Sequence, residues 1–322
     1  MPSIEKLEKK VLSGKRIART EALFLSSLRG QAVMELFSAA NRIRSHFRGD
    51  EIDLCAIVNA KSGKCSEDCA YCAQSATSAA GITSYSLLGK KTILQKAEDA
   101  RNGGAKRFCI VTSGRKVSGR ELTKIAEMVS SVRSLGLLPC ATLGLLSEHA
   151  LKLLKDAGLE RYHNNLETSE HFFPNVCTTH SYGEKMETIR AASSAGLSVC
   201  SGGIFGLGET WQDRIDMAFA LADLGPDSIP INFLSPVKGT KLGRNRLLPP
   251  LEALKIISIY RFILPDRQIR VCGGRLQTLG EMNAFIFFAG ADGLLVGNYL
   301  TTLGRGYEED LRLIQHCGLA LA

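Results

Sequence analysis

After its first 50 residues the chain alternates between short β-branched segments and longer amphipathic segments, about eight times. Predicted strands, bounded by Gly or Pro, lie near residues 53–60, 108–114, 138–144, 161–167, 197–203, 228–234, 268–274 and 293–297. Apolar residues recur at helical spacing in the intervening segments 93–102, 119–134, 148–156, 182–195, 211–224, 251–264, 276–289 and 308–317. This repeat predicts an α/β fold, a parallel (βα)8 barrel of the TIM type, with an open doubly wound sheet as the second choice.

The 322 residues are enough for such a barrel, which takes about 250, and for segments at both ends. We expect residues 1–50 to form an N-terminal helical segment, 51–303 the barrel, and 304–322 a C-terminal helix packed on it. The chain has no uninterrupted apolar stretch of membrane-spanning length, and its charged N-terminus lacks the apolar core of a signal peptide. A cytoplasmic protein without a membrane partner is expected.

Side chains alternate between the two faces of a strand, so residue parity separates the helix-facing side from the barrel interior. In the segment 228–234, Ile229, Ile231 and Phe233 oppose Pro230 and Asn232. The same separation turns a polar set inward: Cys109, Cys140, Asn165, Glu167, Cys200, Asn232, Arg270 and Cys272. A barrel interior is normally filled by bulky apolar side chains, and buried polar groups are costly without partners. This lining therefore predicts bound ligands.

Three cysteines with C-x3-C-x2-C spacing, Cys65, Cys69 and Cys72, follow the first predicted strand. Thiolates are the preferred ligands of iron–sulfur clusters, and three of them can hold three irons of a four-iron cube, which leaves the fourth iron open. A structural zinc site usually needs four protein ligands, and no His or Cys follows at finger spacing. The triplet is therefore interpreted as a [4Fe–4S] site at the C-terminal end of a barrel strand, where barrel active sites form.

The triplet is the signature of the radical S-adenosylmethionine superfamily, and a second segment resembles that superfamily too. Residues 202–209, Gly-Gly-Ile-Phe-Gly-Leu-Gly-Glu, match its G-x-I-x-G-x-x-E pattern. The resemblance implies that the open iron binds S-adenosylmethionine and that reduction releases a 5′-deoxyadenosyl radical, while the protein places the cofactor and excludes water. It also implies that Tyr71 lies near the adenine and that Gly202 and Gly206 support the adenosine end.

Residues 163–169, His-Asn-Asn-Leu-Glu-Thr-Ser, resemble the N-H-N-L-D-T-S segment of the biotin synthase family. The resemblance implies that Asn165 lies near the reacting centres, where it would meet cofactor and substrate. Glu167 stands in the place of an Asp that binds ribose hydroxyls, and this longer carboxylate is a departure from the family. Lys185 stands where the family often has an Arg toward the cofactor carboxylate; Lys keeps the charge but loses the bidentate fork.

The segments around Cys109, Cys140 and Cys200 also resemble biotin synthase segments, and the resemblance runs from about residue 20 to residue 318. It implies that these cysteines, with Arg270 on a later strand, hold an auxiliary [2Fe–2S] cluster deeper in the barrel than the triplet. Asn232 would face the substrate ureido group, and the pair Thr301 and Thr302 would lie near the substrate carboxylate. We interpret the remaining cysteines as structural: Cys55, Cys177 and Cys317.

The activity that this resemblance implies is the conversion of dethiobiotin to biotin. The radical would remove hydrogen from an unactivated carbon, and sulfur from the deeper cluster would trap the carbon radical. A second round would close the thiophane ring, so each C–H bond requires one cofactor cleavage. A low-potential electron donor such as flavodoxin or ferredoxin is implied, as is a homodimer.

Cys272 departs from the family, which typically has Ser two residues after the matching Arg. Positions two apart on a strand share a face, so Cys272 should point into the same cavity as Arg270. A thiolate is a far better metal ligand than a protonated guanidinium. Cys272 therefore replaces Arg270 as the fourth ligand, or adds a fifth group to a larger cluster, or stands in for Ser beside an ordinary two-iron cluster. With Cys109, Cys140 and Cys200 it would supply four thiolates, which could support a four-iron auxiliary cluster.

Two alternatives remain at this stage. A hydrogenase-maturation or methylornithine-forming radical enzyme shares the triplet and barrel but generally lacks the inner cysteines. A non-enzymatic cluster-binding protein, held on nucleic acid by the net charge of +8, is the other. The chain has no aromatic-interleaved basic motif, so we interpret the charge as solvated surface and expect no nucleic-acid partner.

Overall fold

The computed structural model describes residues 2–298 and 304–322. It is a closed parallel barrel with eight strand positions, which confirms the predicted (βα)8 class and excludes the open sheet. The strands are β1 (Glu51–Lys61), β2 (Arg107–Thr112), β3 (Leu138–Thr142), β4 (Arg161–His163), β5 (Ser198–Cys200), β6 (Gly203–Phe205), β7 (Ser228–Phe233), β8 (Gln268–Val271), β9 (Gly293–Val296) and β10 (Ala320–Leu321).

Closure of the barrel depends on β1, which pairs in parallel with β2 on one side and with β9 on the other. The short strands β5 and β6 both pair with β7 and so share the fifth strand position. Outside the barrel, β10 adds to the first residues of β1. Because parallel strands all end at the same rim, the loops that follow them meet above one cavity.

Twelve α-helices surround the strands in the part of the chain that the structure describes. They are α1 (Ile4–Leu12), α2 (Arg19–Ser27), α3 (Gln31–Arg48), α4 (Lys90–Asn102), α5 (Gly119–Ser134), α6 (Glu148–Asp156), α7 (Tyr182–Ser194), α8 (Trp211–Leu224), α9 (Pro250–Ile263), α10 (Arg275–Leu279), α11 (Phe285–Phe288) and α12 (Tyr307–His316). None of these described helices is long and apolar enough to cross a membrane.

One sequence prediction on the helices is wrong. The segment 276–289 was expected to be a single helix, whereas α10 ends at Leu279 and a 3-10 turn, Gly280–Ala284, separates it from α11. Gly280 has a φ of 50°, a left-handed conformation that ends an α-helix and suits glycine.

The core forms where strand parity predicted it, between the strands and the helices. The apolar parity of β7 and β8 is fully buried there, including Ile229, Ile231 and Ile269. Helix α1 packs on α3, helix α2 packs against α8 and α9, and helix α3 packs against α9, which is buried over most of its length as a result. A fully buried ion pair, Arg275 to Asp310 at 2.5 Å, joins α12 to α10.

The N-terminal end of the barrel interior is closed by four charged side chains and one amide, which we call the floor: Asp53, Arg107, Arg161, Arg270 and Gln268. Arg270 Nη2 donates to Asp53 Oδ1 at 2.5 Å and to Gln268 Oε1 at 2.8 Å. Arg107 Nε donates to the other Asp53 oxygen, and Arg161 Nη1 donates to Gln268 Oε1. The floor carries three guanidinium groups and one carboxylate, so its charge is positive where it faces the cavity.

The stability of the folded protein at acid pH should depend on the interaction of the Asp53 carboxylate with the arginines of the floor. Burial raises the pKa of this carboxyl, but Arg270 and Arg107 outweigh burial and lower it from 3.8 to about 2. A carboxyl group whose pKa is lower in the folded protein stabilises the fold at any pH above its pKa in the unfolded chain. That stabilisation is lost as the pH falls toward the pKa of the folded protein. This pKa shift corresponds to about 2.5 kcal/mol in the free energy of unfolding at neutral pH, of which roughly 1 kcal/mol is lost by pH 3.

We therefore expect Asp53→Asn to be less stable than the wild type at pH 6, with a difference that narrows below pH 4. Urea unfolding of both proteins between pH 6 and pH 3 measures this difference. Asp266→Asn, which changes an exposed carboxylate, is the control and should follow the wild type. A difference between wild type and Asp53→Asn that stays constant down to pH 3 would contradict the assignment.

Candidate active site

A cavity of about 440 Å3 lies inside the barrel above the floor. Every member of the polar set that parity turned inward lines it: Cys109, Cys140, Asn165, Glu167, Cys200, Asn232, Arg270 and Cys272. The triplet Cys65, Cys69 and Cys72 lines the same cavity from the loop after β1, together with Tyr71. The structure thus brings these predicted site residues and Lys185 into one chamber, whereas Gly202 and Gly206 are not among its lining residues.

Local hydrogen bonds shape the triplet loop. Cys72 N donates to Cys69 O at 3.0 Å, and Cys65 N donates to the Gln74 carbonyl at 3.3 Å. Ala70 N is tied to Val176 O on the other side of the mouth. The three thiols are free and half-buried on a single loop beside the cavity. A set of three thiolates fits an iron–sulfur cluster with one open iron better than it fits a closed four-ligand zinc site.

Inside the barrel, a hydrogen-bonded chain runs from an inner thiol toward the mouth. Cys109 Sγ lies 3.5 Å from Thr142 Oγ1, which lies 2.8 Å from His163 Nδ1. His163 Nε2 lies 2.9 Å from Asn165 Oδ1. Burial lowers the pKa of His163, so its ring is neutral at pH 7. With Nε2 donating to the amide oxygen, Nδ1 accepts from Thr142, and the thiol of Cys109 is left to donate to that hydroxyl.

The same amide connects to a charged group at the upper end of β4. Asn165 Nδ2 donates to Glu167 Oε2 at 3.3 Å, and Lys185 Nζ lies 3.7 Å from Glu167 Oε1. Burial of the Tyr71 hydroxyl, reinforced by Glu167, raises its pKa well above the usual range. Glu167 has a φ of 73°, in the left-handed region that non-glycine residues rarely adopt. Such strained residues cluster at functional sites, because the surrounding structure must hold them in place.

The glycine segment owes part of its composition to packing. A Cβ on Gly202 would lie 2.1 Å from the Pro230 carbonyl oxygen, so the close approach of β7 requires glycine there. Gly202 N donates to Asn165 Oδ1 at 3.1 Å. Gly206 has a φ of 95°, and its amide donates to the Glu209 carboxylate. This segment therefore positions Asn165 and turns the chain at the rim.

The inner thiols lie at one depth, just above the floor. Cys109 and Cys140 are partners in register on β2 and β3, and Cys272 packs with them. Cys200 ends β5 and lines the same part of the cavity. Nearby Arg270 favours the thiolate form of Cys109, Cys200 and Cys272, although burial raises the pKa of each of these thiols. The positive floor thus suits an anionic group held by several thiolates.

Cys55 joins this group, although sequence reasoning treated it as structural. It packs with Cys109, Cys140 and Cys272 in one buried cluster, and the neighbouring Cys140 thiol lowers the pKa of Cys55. Strand parity was the signal that could have found it. On β1, Asp53 and Cys55 share a face, as Arg270 and Cys272 do on β8.

The remaining predicted residues are placed as follows. Arg270 Nη1 donates to the carbonyls of Asp53 and Leu294, so its guanidinium faces floor oxygens. Burial opposes its charge, but Asp53 outweighs burial and raises its pKa. Asn232 Oδ1 accepts from Gly273 N at 3.0 Å, which fixes its amide at the cavity wall. The predicted pair Thr301 and Thr302 lies outside the described residues.

Two family models match the chain. The radical SAM superfamily model matches residues 60–221, which contain the triplet and the glycine segment. The Biotin and Thiamin Synthesis associated domain model matches residues 230–320, which contain Asn232, Arg270 and Cys272.

Solved structures and sequence relatives agree with these matches. A methylornithine synthase superposes with a TM-score of 0.86 at 22% identity, covering 98% of this chain and 97% of that one. A maturase of the [FeFe]-hydrogenase gives 0.83 at 16% identity, covering 98% and 74%. At these identities both show the fold alone.

Sequence identity is much higher to biotin synthases. The enzyme of Thermodesulfovibrio yellowstonii is 53% identical over 287 residues, covering 89% of this chain and 90% of its own. That of Geotalea daltonii is 46% identical over 322 residues, covering 99% and 98%. The chain therefore belongs to the biotin synthase family of radical SAM enzymes.

Proposed function

We propose that this chain forms biotin by inserting sulfur into dethiobiotin, with the site residues in the roles set out below. The observation that carries the proposal is that two separate sets of cysteine thiols lie at different depths in one cavity. The triplet lies at the mouth, and Cys109, Cys140, Cys200 and Cys272 lie just above the floor. Substrate and cofactor would occupy the space between them.

The chemistry depends on groups that these thiols would hold. When bound at the triplet, a reduced [4Fe–4S] cluster with S-adenosylmethionine supplies the 5′-deoxyadenosyl radical, and an auxiliary iron–sulfur cluster bound at the inner thiols supplies the sulfur. The protein holds both sets in one closed barrel, whose walls would shield a radical generated at the mouth from water until it met the substrate. A low-potential donor such as flavodoxin or ferredoxin would deliver the electron, and a homodimer is expected from the family.

Residues at the mouth would bind the cofactor. Tyr71 stands inside the triplet and would meet the adenine, while the strained Glu167 would accept hydrogen bonds from ribose hydroxyls. Lys185 lies close enough to Glu167 to share the cofactor end and would pair with the carboxylate of the methionine part. Gly202 and Gly206 would support the adenosine through backbone rather than side-chain contacts.

Residues between the two thiol sets would position the substrate. Asn165 is held by His163, Gly202 and Glu167, so its amide has one orientation. Asn232 is held in the same way by Gly273 and Gly203. Two fixed amides suit a ureido group, which both donates and accepts hydrogen bonds. Thr301 and Thr302 would bind the substrate carboxylate.

The fourth ligand of the auxiliary cluster is proposed to be Cys272. Arg270 directs its donors to Asp53, Gln268 and two carbonyls, and its raised pKa keeps it protonated, so it offers a poor lone pair. Cys272 presents its thiol to the same cavity as Cys109 and Cys140. Four thiolates would support a four-iron cluster in place of the two-iron cluster expected from the family pattern.

The function is tested by biotin formation with protein reconstituted without oxygen. We expect the wild type to cleave S-adenosylmethionine and to form biotin from dethiobiotin when a low-potential reductant is present. The triple variant Cys65→Ala, Cys69→Ala, Cys72→Ala should lose both activities and keep its auxiliary cluster, which Mössbauer spectra can count. Cys317→Ala, at the end of α12, is the control. Cofactor cleavage by the triple variant would overturn the assignment of the triplet.

The ligand of the auxiliary cluster is tested separately. Cys272→Ser should reduce the iron content from about eight to about six per chain, with the triplet cluster intact, because a four-iron centre becomes a two-iron centre. Iron and sulfide analysis with Mössbauer spectra measures the change, and Cys317→Ser is the control. An unchanged count in Cys272→Ser refutes ligation by Cys272. A loss seen only in Cys55→Ser would assign the fourth position to Cys55.

A further inference from the structure

A second group of metal-ligating side chains adjoins the triplet: it shares Cys69 with the triplet and adds Cys177 and His180, of which His180 also lines the cavity. Cys177 follows the 3-10 turn Phe173–Asn175, and its Sγ lies 3.8 Å from Cys69 Sγ. His180 Nδ1 lies 3.3 Å from Cys177 Sγ. The ligand atoms of Cys69, Cys177 and His180 all lie within 4.8 Å of one another.

These distances match a tetrahedral metal site. Zinc binds thiolate sulfur at about 2.3 Å and imidazole nitrogen at about 2.0–2.1 Å, which at tetrahedral angles separates two sulfurs by about 3.8 Å and sulfur from nitrogen by about 3.6 Å. The observed separations are 3.8 Å for Cys69 and Cys177 and 3.3 Å for Cys177 and His180. A metal ion would need only small side-chain movements to enter.

The surrounding backbone holds this arrangement in place. Asp68 Oδ1 accepts from Thr178 N at 2.9 Å, and Asp68 Oδ2 accepts from Thr178 Oγ1 at 2.6 Å, which joins the triplet loop to the segment with Cys177. Ala70 N adds a second link, to Val176 O. The Cys177 side chain is buried, and the ring of His180 is 7% exposed. The ligands are therefore preorganised and largely shielded from water.

One carboxylate is available for the fourth position. Asp68 is committed to the amides and hydroxyls of Thr178 and Thr179. Glu67 Oε2 lies 2.5 Å from His180 Nδ1 and accepts from Thr179 Oγ1, so it can turn from the ring to a metal bound there. Arg115, which is half-exposed, lies 3.6 Å from Glu67 and balances part of its charge from outside.

We propose that Cys69, Cys177 and His180 form a mononuclear site for a thiophilic divalent cation, Zn2+ or Fe2+, in the cluster-free protein. Two sulfurs and one imidazole nitrogen favour these ions over Mg2+ or Ca2+, which prefer oxygen ligands. The site shares Cys69 with the cluster site of the proposed function. A bound ion and a complete cluster therefore exclude each other, and an ion such as Zn2+ at this site would delay cluster assembly.

The test uses Co2+ as a spectroscopic probe with reduced, cluster-free full-length protein. We expect one equivalent to give the thiolate charge-transfer and tetrahedral d–d bands, and Zn2+ to displace it. Cys177→Ser and His180→Gln should each weaken binding at least tenfold but still assemble the triplet cluster. Cys65→Ala should bind Co2+ as the wild type does but fail to assemble that cluster, and Cys69→Ala should lose both. Circular dichroism checks that each variant is folded.

The pattern of losses separates this inference from the proposed function, because Co2+ binding is measured without cofactor, cluster or substrate. Prior loading with Zn2+ should slow cluster reconstitution in the wild type and not in Cys177→Ser. Absence of tetrahedral bands in the wild type would overturn the inference. So would binding that Cys65→Ala abolishes while Cys177→Ser and His180→Gln keep it, since the ion would then lie at the triplet.

Discussion

The ion pair between Asp53 and Arg270 joins the first and the seventh strand positions of the barrel at its floor, and the inner site is built on it. A buried guanidinium without a carboxylate partner would be costly, and so would a buried carboxylate without a cation. Because Arg107 and Arg161 lie beside the pair, the floor keeps a positive excess below the inner thiols. That excess makes a deep anionic cluster compatible with a closed barrel interior.

Above the floor, the polar lining is organised by hydrogen bonds within the protein. The chain from Cys109 through Thr142 and His163 to Asn165 fixes the orientation of the central amide. The backbone N–H of Gly202 donates a further hydrogen bond to the oxygen of that amide. Gly202 can occupy this position because it has no side chain to clash with β7. Substrate and cofactor would therefore meet groups whose directions are already set, which lowers the entropy lost on binding.

The mouth of the barrel is built differently from the floor, because carboxylate side chains and a backbone hydrogen bond join one loop to another there. Asp68 joins the triplet loop to the segment that carries Cys177 and His180. The thiol of Cys69 therefore has neighbours beyond the triplet whose side chains are also potential metal ligands. The mouth thus offers ligand atoms for more than one arrangement of metal, whereas the inner thiols lie above a floor of hydrogen-bonded charged groups.

The repeat of strand and helix and the parity of the strands follow from local periodicity, so the sequence alone was sufficient for the barrel class and for the inward-facing residues, while the resemblance of the motifs to known segments indicated the family. It misjudged the helix at 276–289, because a glycine in the left-handed region interrupts an otherwise helical pattern. It also missed Cys55 in the inner group, Cys177 and His180 beside Cys69, and Asp53 as the partner of Arg270. These are contacts between residues far apart in the chain, 108 positions for Cys69 and Cys177 and 217 for Asp53 and Arg270, and only barrel closure and loop packing bring them together. The spacing of residues along a strand predicts which face of that strand a side chain occupies. Which other side chains it contacts depends on which strands become neighbours in the closed sheet.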